Sequence, residues 1–282
     1  MSTTACSTRY GWRGRPVAEP AREASGAGEV RLHREGPVAV LTLDHQRKLN
    51  ALTWSMYDQL EQHARTLAAD TSVRAVVLTA AGERAFAAGT DIAQFTDFDA
   101  ERGVAYEHRV GEVLQTLAGV PVPVVAAVPG LAVGAGLVLV AACDLVVAAE
   151  DVRFGAPVAQ TLGNCIDAGA VRLVRDRVGR AWTDRMLLGT DLVTAAELAG
   201  TGFVTRLLPA GTDPRPVALE LAGRVAGAAP LTVRALKEVG RRLDADPAAD
   251  VDDLLARCYG SHDFAEGVAA FTARRAPVWE GR

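Results

Sequence analysis

Residues 122–149 read VPVVAAVPGLAVGAGLVLVAACDLVVAA and decide the fold class of the chain. Residues 122–128 and 144–149 are short apolar runs, which is typical of buried strands. The glycine-rich segment between them, from about residue 134 to residue 142, predicts a short helix. A strand, a helix and a second strand in succession indicate an α/β fold.

The same alternation continues toward the N-terminus. Residues 38–43 (VAVLTL) and 73–79 (VRAVVLT) also read as buried strands. Between them Thr53, a residue type that caps helix N-termini, precedes apolar residues at spacings of three and four. These residues are Met56, Leu60, Ala64 and Leu67. The spacing predicts a helix with one face on the core.

Helical periods dominate after Asp167. They predict helices at residues 168–178, 181–188 and 195–200, a strand at 204–208, a turn-rich linker at 209–216, and helices near 219–225, 233–243, 251–258 and 264–271. Residues 1–28 are rich in Gly, Ala, Ser, Arg and Pro and show neither apolar period. We therefore expect a disordered leader over residues 1–28, an α/β core over 29–209 and a helical region over 210–282.

Composition excludes several classes of protein. The 282 residues are 49% hydrophobic and 23% charged, unlike a disordered or fibrous chain. No apolar run reaches bilayer length, and a net charge of −4 provides no basic field for nucleic acid. Histidine and cysteine lack metal-ligand spacing, and no apolar signal core opens the chain, so we expect no metal site and a reducing cytoplasm.

Two glycine turns are the strongest candidates for a site. AFAAGTDI (residues 85–92) places Gly89 just before Thr90, and PGLAVGAG (residues 129–136) opens the predicted short helix. Small residues let the backbone approach a ligand closely. Free N–H groups at such turns favour an oxygen that gains negative charge.

Together these motifs resemble the crotonase superfamily, also called the enoyl-CoA hydratase/isomerase family, from about Val38 to the C-terminus. The matching motifs are LNAL (49–52), AFAAGTDI (85–92), PVVAAVPGLAVGAG (123–136), ACDL (142–145), FGAP (154–157), GRAW (179–182), LLGTDLVTAAELAGTGFV (187–204) and EGVAAFTARRAP (266–277). The resemblance implies a spiral of repeated ββα units with a C-terminal helical trimerisation region. It also implies homotrimers or hexamers and an acyl-CoA or enoyl-CoA substrate, with no further cofactor.

In this family two backbone N–H groups hold the thioester oxygen while the α-carbon becomes enolate-like, and by position these belong to Thr90 and Ala135. The same comparison implies that a second group of residues binds CoA and the acyl chain: Arg47, Lys48, Leu49, Ala88, Asp91, Ile92, Leu131, Gly134, Val138, Val158, Leu162, Phe271 and Arg274. Phe271 and Arg274 would reach the CoA of a neighbouring subunit. The alternatives are helix packing for Phe271, turn stabilisation for Asp91, and solvated charge for the basic residues.

The sequence departs from the family at the two glutamates that hydratases use to move protons. Those positions hold Val138 and Val158, which cannot transfer protons. Asp167 is the candidate replacement, although relatives with a catalytic aspartate place it one residue earlier, at Ile166. The alternative for Asp167 is a helix N-cap.

Three nearby residues have weaker claims to chemistry. Asn164 could hold a water molecule with Asp167, Cys165 lacks an adjacent histidine, and His108 lies on a helix that borders the acyl group in relatives. Two hypotheses remain open. The protein is an acyl-CoA enzyme with isomerase-like or variant hydratase chemistry, or a catalytically silent acyl-CoA-binding or assembly protein.

Overall fold

A computed structural model describes residues 28–282. Apart from Gly28, the predicted leader over residues 1–28 lies outside the described residues. No helix in the described part of the chain is long and apolar enough to cross a membrane.

The strands form two sheets. The larger sheet contains β1 Glu29–Glu35, β2 Val38–Asp44, β3 Ala75–Ala80, β5 Val124–Val128, β7 Leu145–Ala149 and β10 Arg206–Leu208; the smaller contains β4 Ala85–Ala87, β6 Leu131–Val133, β8 Arg153–Gly155 and β9 Val193–Thr194. The larger sheet has the order β1-β2-β3-β5-β7-β10 and is parallel except for the β1–β2 hairpin. The smaller has the order β4-β6-β8-β9.

The helices fall into two groups along the chain. Those between and after the core strands are α1 Trp54–Ala69, α2 Ala100–Ala118, α3 Ala135–Ala141, α4 Val158–Thr161, α5 Ala168–Val178, α6 Arg180–Leu187 and α7 Ala195–Leu198. The C-terminal ones are α8 Arg215–Ala226, α9 Pro230–Ala245, α10 Asp252–Tyr259 and α11 His262–Thr272. The predicted long helices are therefore present.

Successive strand pairs wind through both sheets. In the pairs β3–β4, β5–β6 and β7–β8, the first strand joins the larger sheet and the second joins the smaller one. Val76 pairs with Val124 in the larger sheet, and Ala85 pairs with Leu131 in the smaller. A helix follows each pair, so the chain forms the expected spiral of ββα units.

The first long helix packs as its spacing predicts. Met56, Leu60 and Ala64 are fully buried in the main core. Thr53 Oγ1 accepts the N–H of Met56 at 3.3 Å, which caps α1. Each buried leucine contributes roughly 1.5–3 kcal/mol to folding.

Helix α8 covers the opposite face of the larger sheet. Ala218, Leu221 and Ala222 pack with residues from β2, β3, β5 and β7, including Val77 and Val125. The first C-terminal helix is thus a layer of the core architecture. Helices α9 to α11 lie beyond it, and a role for them in oligomerisation stays a prediction.

Candidate active site

Two glycine turns bring the ends of β4 and β6 together. Gly89 has φ +101° and Gly134 has φ +56°, in the left-handed region that favours glycine. A Cβ atom on Gly134 would lie 3.6 Å from Gly89 Cα. In α3, Gly136 packs so closely on Ala87 that an added Cβ would overlap the Ala87 carbonyl oxygen. Of these three glycines, Gly136 has the contact that excludes a Cβ atom, whereas Gly89 and Gly134 are favoured by their positive φ values.

The N–H groups of Thr90 and Ala135 are left unpaired at this junction. Leu52 N–H donates to Gly89 O and Leu52 O accepts from Asp91 N–H, each over 2.8 Å. In this parallel bridge the residues on either side of Thr90 make the hydrogen bonds, and the N–H of Thr90 takes no part. Ala135 is the first residue of α3, where an N–H has no intrahelical acceptor. Neither N–H has an acceptor in the part of the chain that the structure describes.

Thr90 and Ala135 line the same cavity, which has a volume of about 280 Å³. The cavity gathers eight of the residues singled out from the sequence: Ala88, Thr90, Ile92, Gly134, Ala135, Val138, Val158 and Leu162. Most of its wall is apolar. Two N–H donors at such a cavity can hold an oxygen atom that gains negative charge, and losing one donor costs about 3–4 kcal/mol of barrier in enzymes of this type.

A chain of three hydroxyl groups fixes the side chain of Thr90. Tyr57 Oη lies 2.7 Å and Tyr106 Oη 2.6 Å from Thr90 Oγ1. Tyr57 is 1% exposed, so its O–H needs an internal acceptor, and Thr90 Oγ1 supplies one. Thr90 can then donate to Tyr106, which lines the cavity. Burial raises the pKa of both tyrosines, so both stay neutral at physiological pH.

Asp167 does not line this cavity. It is the N-cap of α5, and its Oδ2 accepts the N–H of Gly169 at 2.6 Å. Its own backbone N–H points back toward α2 and donates to Glu107 Oε2 over 2.8 Å. The structure therefore gives the Asp167 side chain the capping position that the sequence left as an alternative.

Glu107 is the carboxylate that lines the cavity, and sequence reasoning missed it. It lies on α2 with Tyr106, Val110 and Leu114 facing the same cavity. Burial raises the pKa of Glu107, and the Asp167 carboxylate adds to this shift, while the hydrogen bond from the Asp167 N–H opposes it. The available signal was the helical spacing of residues 107, 110 and 114, which places all three on one face.

A groove adjoins the cavity between α2 and the segment before α5. Tyr106, Glu107 and Leu162 line both spaces. Asn164 also lines both, while His108 and Cys165 line only the groove. Glu107 thus lies half-buried at the boundary between the cavity and the groove.

Lys48 and Asp91 form an ion pair beside the first turn. Lys48 Nζ lies 2.7 Å from Asp91 Oδ2, and Asp91 Oδ1 accepts the N–H of Ala93. Burial alone would raise the pKa of Asp91, but these two bonds outweigh it and lower the pKa. The pair stabilises the loop that carries Thr90.

Arg47, Leu49 and Leu131 lie away from the cavity. Arg47 and Leu49 line a surface depression that they share with Arg84. Leu49 is still linked to the first turn, because its carbonyl oxygen accepts the N–H of Ala88 at 3.0 Å. Leu131 lies in β6 and lines a separate depression.

Phe271 and Arg274 lie in the C-terminal helical region. Phe271, on α11, is 88% exposed and lines an apolar groove formed by α9, α10 and α11. Arg274 follows α11 with φ +53° and is exposed. Within one chain, therefore, neither residue reaches the cavity. Among residues 28–282, no group of three or more His, Cys, Asp or Glu side chains is placed to hold a metal ion.

Comparisons with known proteins agree with this geometry. Residues 33–282 match the family described as Enoyl-CoA hydratase/isomerase. The chain is 32% identical to 2,3-dehydroadipyl-CoA hydratase of Escherichia coli over 90% of its length and 99% of the relative. It is 31% identical to carnitinyl-CoA dehydratase of Proteus mirabilis, over 90% of its length and 98% of the relative.

A solved structure shares the same fold. The enoyl-CoA hydratase/carnithine racemase from Magnetospirillum magneticum superimposes with a TM-score of 0.83 at 34% identity, covering 90% of this chain and 96% of that one. The fold, the paired turns and these matches lead to one assignment. The chain belongs to the enoyl-CoA hydratase/isomerase, or crotonase, family of enzymes that process acyl-CoA thioesters.

Proposed function

We propose that this enzyme stabilises a thioester enolate with the N–H groups of Thr90 and Ala135 and shifts a double bond by proton transfer. The observation that carries the proposal is that neither N–H group has an acceptor among residues 28–282 and that both adjoin one largely apolar cavity. A donor fixed in the backbone needs no reorganisation as charge develops on the oxygen. The two N–H groups would therefore supply the oxyanion stabilisation that the family's reactions share and that isomerisation also needs.

Two valines distinguish this chain from a standard hydratase. Hydration adds a hydroxyl group and a proton across one double bond, which calls for two groups that can transfer protons. Val138 is 4% exposed and Val158 adjoins the same cavity, and neither can do so. Isomerisation needs one carboxylate, because the same group can remove a proton and return it to another carbon. The hydratase and dehydratase activities of relatives are thus not assigned to this chain.

The CoA moiety would lie outside the cavity, along the first turn. Arg47 and Arg84 share a surface depression, where positive charge suits the phosphates. Beside Thr90, the cavity is lined by Ala88 and Ile92. Lys48 and Asp91 form their ion pair next to the same turn. Of the remaining predicted contacts, Leu49 is linked to this path through the N–H of Ala88, whereas Leu131 lines a separate depression.

A homotrimer or hexamer is part of the proposal. The groove of α9 to α11 exposes large apolar side chains: Leu236, Tyr259, Phe264, Val268 and Phe271. Exposed apolar patches of this kind mark association surfaces. In a trimer Phe271 and Arg274 would contact the CoA of a neighbouring copy. Sedimentation analysis should give the mass of three or six chains, and a monomer would contradict this assignment.

The reaction is tested with the full chain and two substrates. Incubation with a saturated acyl-CoA in deuterated water should place deuterium on the α-carbon, read by mass spectrometry. A 3-enoyl-CoA should become the conjugated 2-enoyl-CoA with no accumulation of 3-hydroxyacyl-CoA. Accumulation of the hydroxy product would instead establish variant hydratase chemistry. Calorimetric binding without exchange or isomerisation would establish the silent acyl-CoA-binding alternative.

A further inference from the structure

We infer that Glu107 is the catalytic acid/base of this enzyme, an inference that rests on the proposed enolate chemistry. Among the described residues, Glu107 carries the only carboxylate that lines the cavity shared by Thr90 and Ala135. It belongs to α2, a helix that supplies neither of the two glutamate positions occupied here by Val138 and Val158. The inferred acid/base thus lies on a different element of the fold from the two usual glutamate positions.

The carboxylate is held by one oxygen and leaves the other available. Glu107 Oε2 accepts the backbone N–H of Asp167 over 2.8 Å. A carboxylate has a second oxygen with its own lone pairs, so Glu107 Oε1 can exchange a proton with a substrate carbon. The α2 backbone and the start of α5 together limit the motion of the side chain. Asp167 acts here as a positioning residue through its main chain.

The side chain of Asp167 is committed elsewhere. Its Oδ2 accepts the N–H of Gly169 and caps α5. The residue lines the adjoining groove and not the cavity. An asparagine at this position would keep both the cap, since asparagine caps helices as well as aspartate does, and the backbone N–H that holds Glu107.

The transfer is balanced in atoms and electrons. The C–H bond at the α-carbon of a 3-enoyl thioester breaks, and its proton passes to Glu107. The electron pair of that bond moves through the π system to the thioester oxygen beside Thr90 and Ala135. The protonated Glu107 then returns the proton to the γ-carbon as the carbonyl re-forms. Nothing is oxidised or reduced. Burial raises the pKa of Glu107, which makes the carboxylate a stronger base than one in water.

The test compares Glu107→Gln with Glu112→Gln, a matched control on the same helix that is exposed and does not line the cavity. Glutamine keeps the shape of the side chain and an oxygen acceptor for the Asp167 N–H. We expect Glu107→Gln to lower α-deuterium exchange and isomerisation at least 100-fold, with acyl-CoA affinity by calorimetry within about twofold of the wild type. Glu112→Gln should keep both rates within about threefold. Glu107→Asp should retain a measurable part of the activity, because it keeps a carboxylate one methylene shorter.

The outcomes separate the two proposals. If Glu107→Gln exchanges deuterium as fast as the wild type, or if Glu112→Gln loses as much activity as Glu107→Gln, the assignment of Glu107 is overturned while the enolate chemistry stands. If the wild type binds acyl-CoA yet shows neither exchange nor isomerisation, both proposals fail. A loss in Glu107→Gln accompanied by lost binding would assign the residue to substrate binding and also overturn the catalytic role.

Discussion

The buried hydroxyl group of Tyr57 lies 2.7 Å from that of Thr90, the residue whose backbone N–H adjoins the cavity. A fully buried phenol on α1 thus fixes the rotamer of a residue in a loop after β4. The turn that presents the N–H is tied to the core through its side chain as well as through its backbone.

Removing the Tyr57 hydroxyl should therefore lower the free energy of unfolding, because the turn that carries Thr90 loses one contact with the core. Tyr57→Phe keeps the ring and deletes one buried hydrogen bond, so we expect a loss of about 1 kcal/mol in the free energy of unfolding. Urea denaturation measures it. Ser55→Ala is the matched control, because Ser55 lies on the same helix and is exposed, and its effect should stay within about 0.5 kcal/mol. Equal effects of the two changes would contradict the role of the hydroxyl chain.

Proline at position 135 should remove one oxyanion donor without breaking α3. Proline lacks an N–H and is well tolerated at the first position of a helix. Ala135→Pro is expected to lower deuterium exchange at least 100-fold, with a circular-dichroism spectrum like that of the wild type. Ala168→Pro is the control: it is the first residue of α5 and is exposed. A folded Ala135→Pro variant with full exchange would eliminate Ala135 as a donor.

Gly136 should not tolerate a methyl group. Since an added Cβ would overlap the Ala87 carbonyl oxygen, Gly136→Ala must push α3 away from β4 and separate the two turns. We expect a loss of about 2 kcal/mol or more in stability, together with loss of exchange. Gly223→Ala on α8 has no neighbour within 4 Å and should stabilise the protein by about 0.5–1 kcal/mol. A Gly136→Ala variant with wild-type stability would show that this contact is not tight.

Glu107 should make the folded protein less stable at neutral pH than an uncharged side chain would. Its pKa is raised in the folded state, so stability falls as the pH rises from the unfolded value, about 4.3, through the folded value. Asp167, Tyr106 and Tyr57 are the titratable groups that interact with it. Denaturant unfolding of Glu107→Gln and the wild type should show a gain for the variant at pH 7 that disappears at pH 4. A variant less stable than the wild type at pH 7 would contradict this sign.

The long amphipathic segments were predictable from the sequence, as was strand β10 within residues 204–208, but the other strands of three residues were not. Residues 168–178 match α5 at both ends because the apolar period continues over three turns. Strands β4, β6 and β8 contain three residues each, too few for a period to be recognised. Strand β1 (EVRLHRE) was missed because charged residues dominate this edge strand.

The candidate oxyanion donors could be proposed from the sequence because they are backbone groups in glycine turns. The candidate acid/base could not, because it depends on how side chains from distant elements meet. The glycine turns, together with the resemblance to the crotonase superfamily, pointed to Thr90 and Ala135. Asp167 was selected by its position in the chain, whereas Glu107 is 60 residues away in sequence. Only the packing of α2 against the start of α5 shows which of the two carboxylates reaches the cavity.

The proposed oxyanion donors belong to the main chain, which affects how such an enzyme can change. Almost any single amino-acid replacement at Thr90 or Ala135 leaves an amide in place, so the capacity to activate a thioester survives drift that would erase a side-chain catalyst. Other parts of the wall, such as Val138 and Val158, are then free to vary. A new reaction can then arise when the acid/base residue changes position in the fold, while the amides that bind the thioester oxygen stay in place.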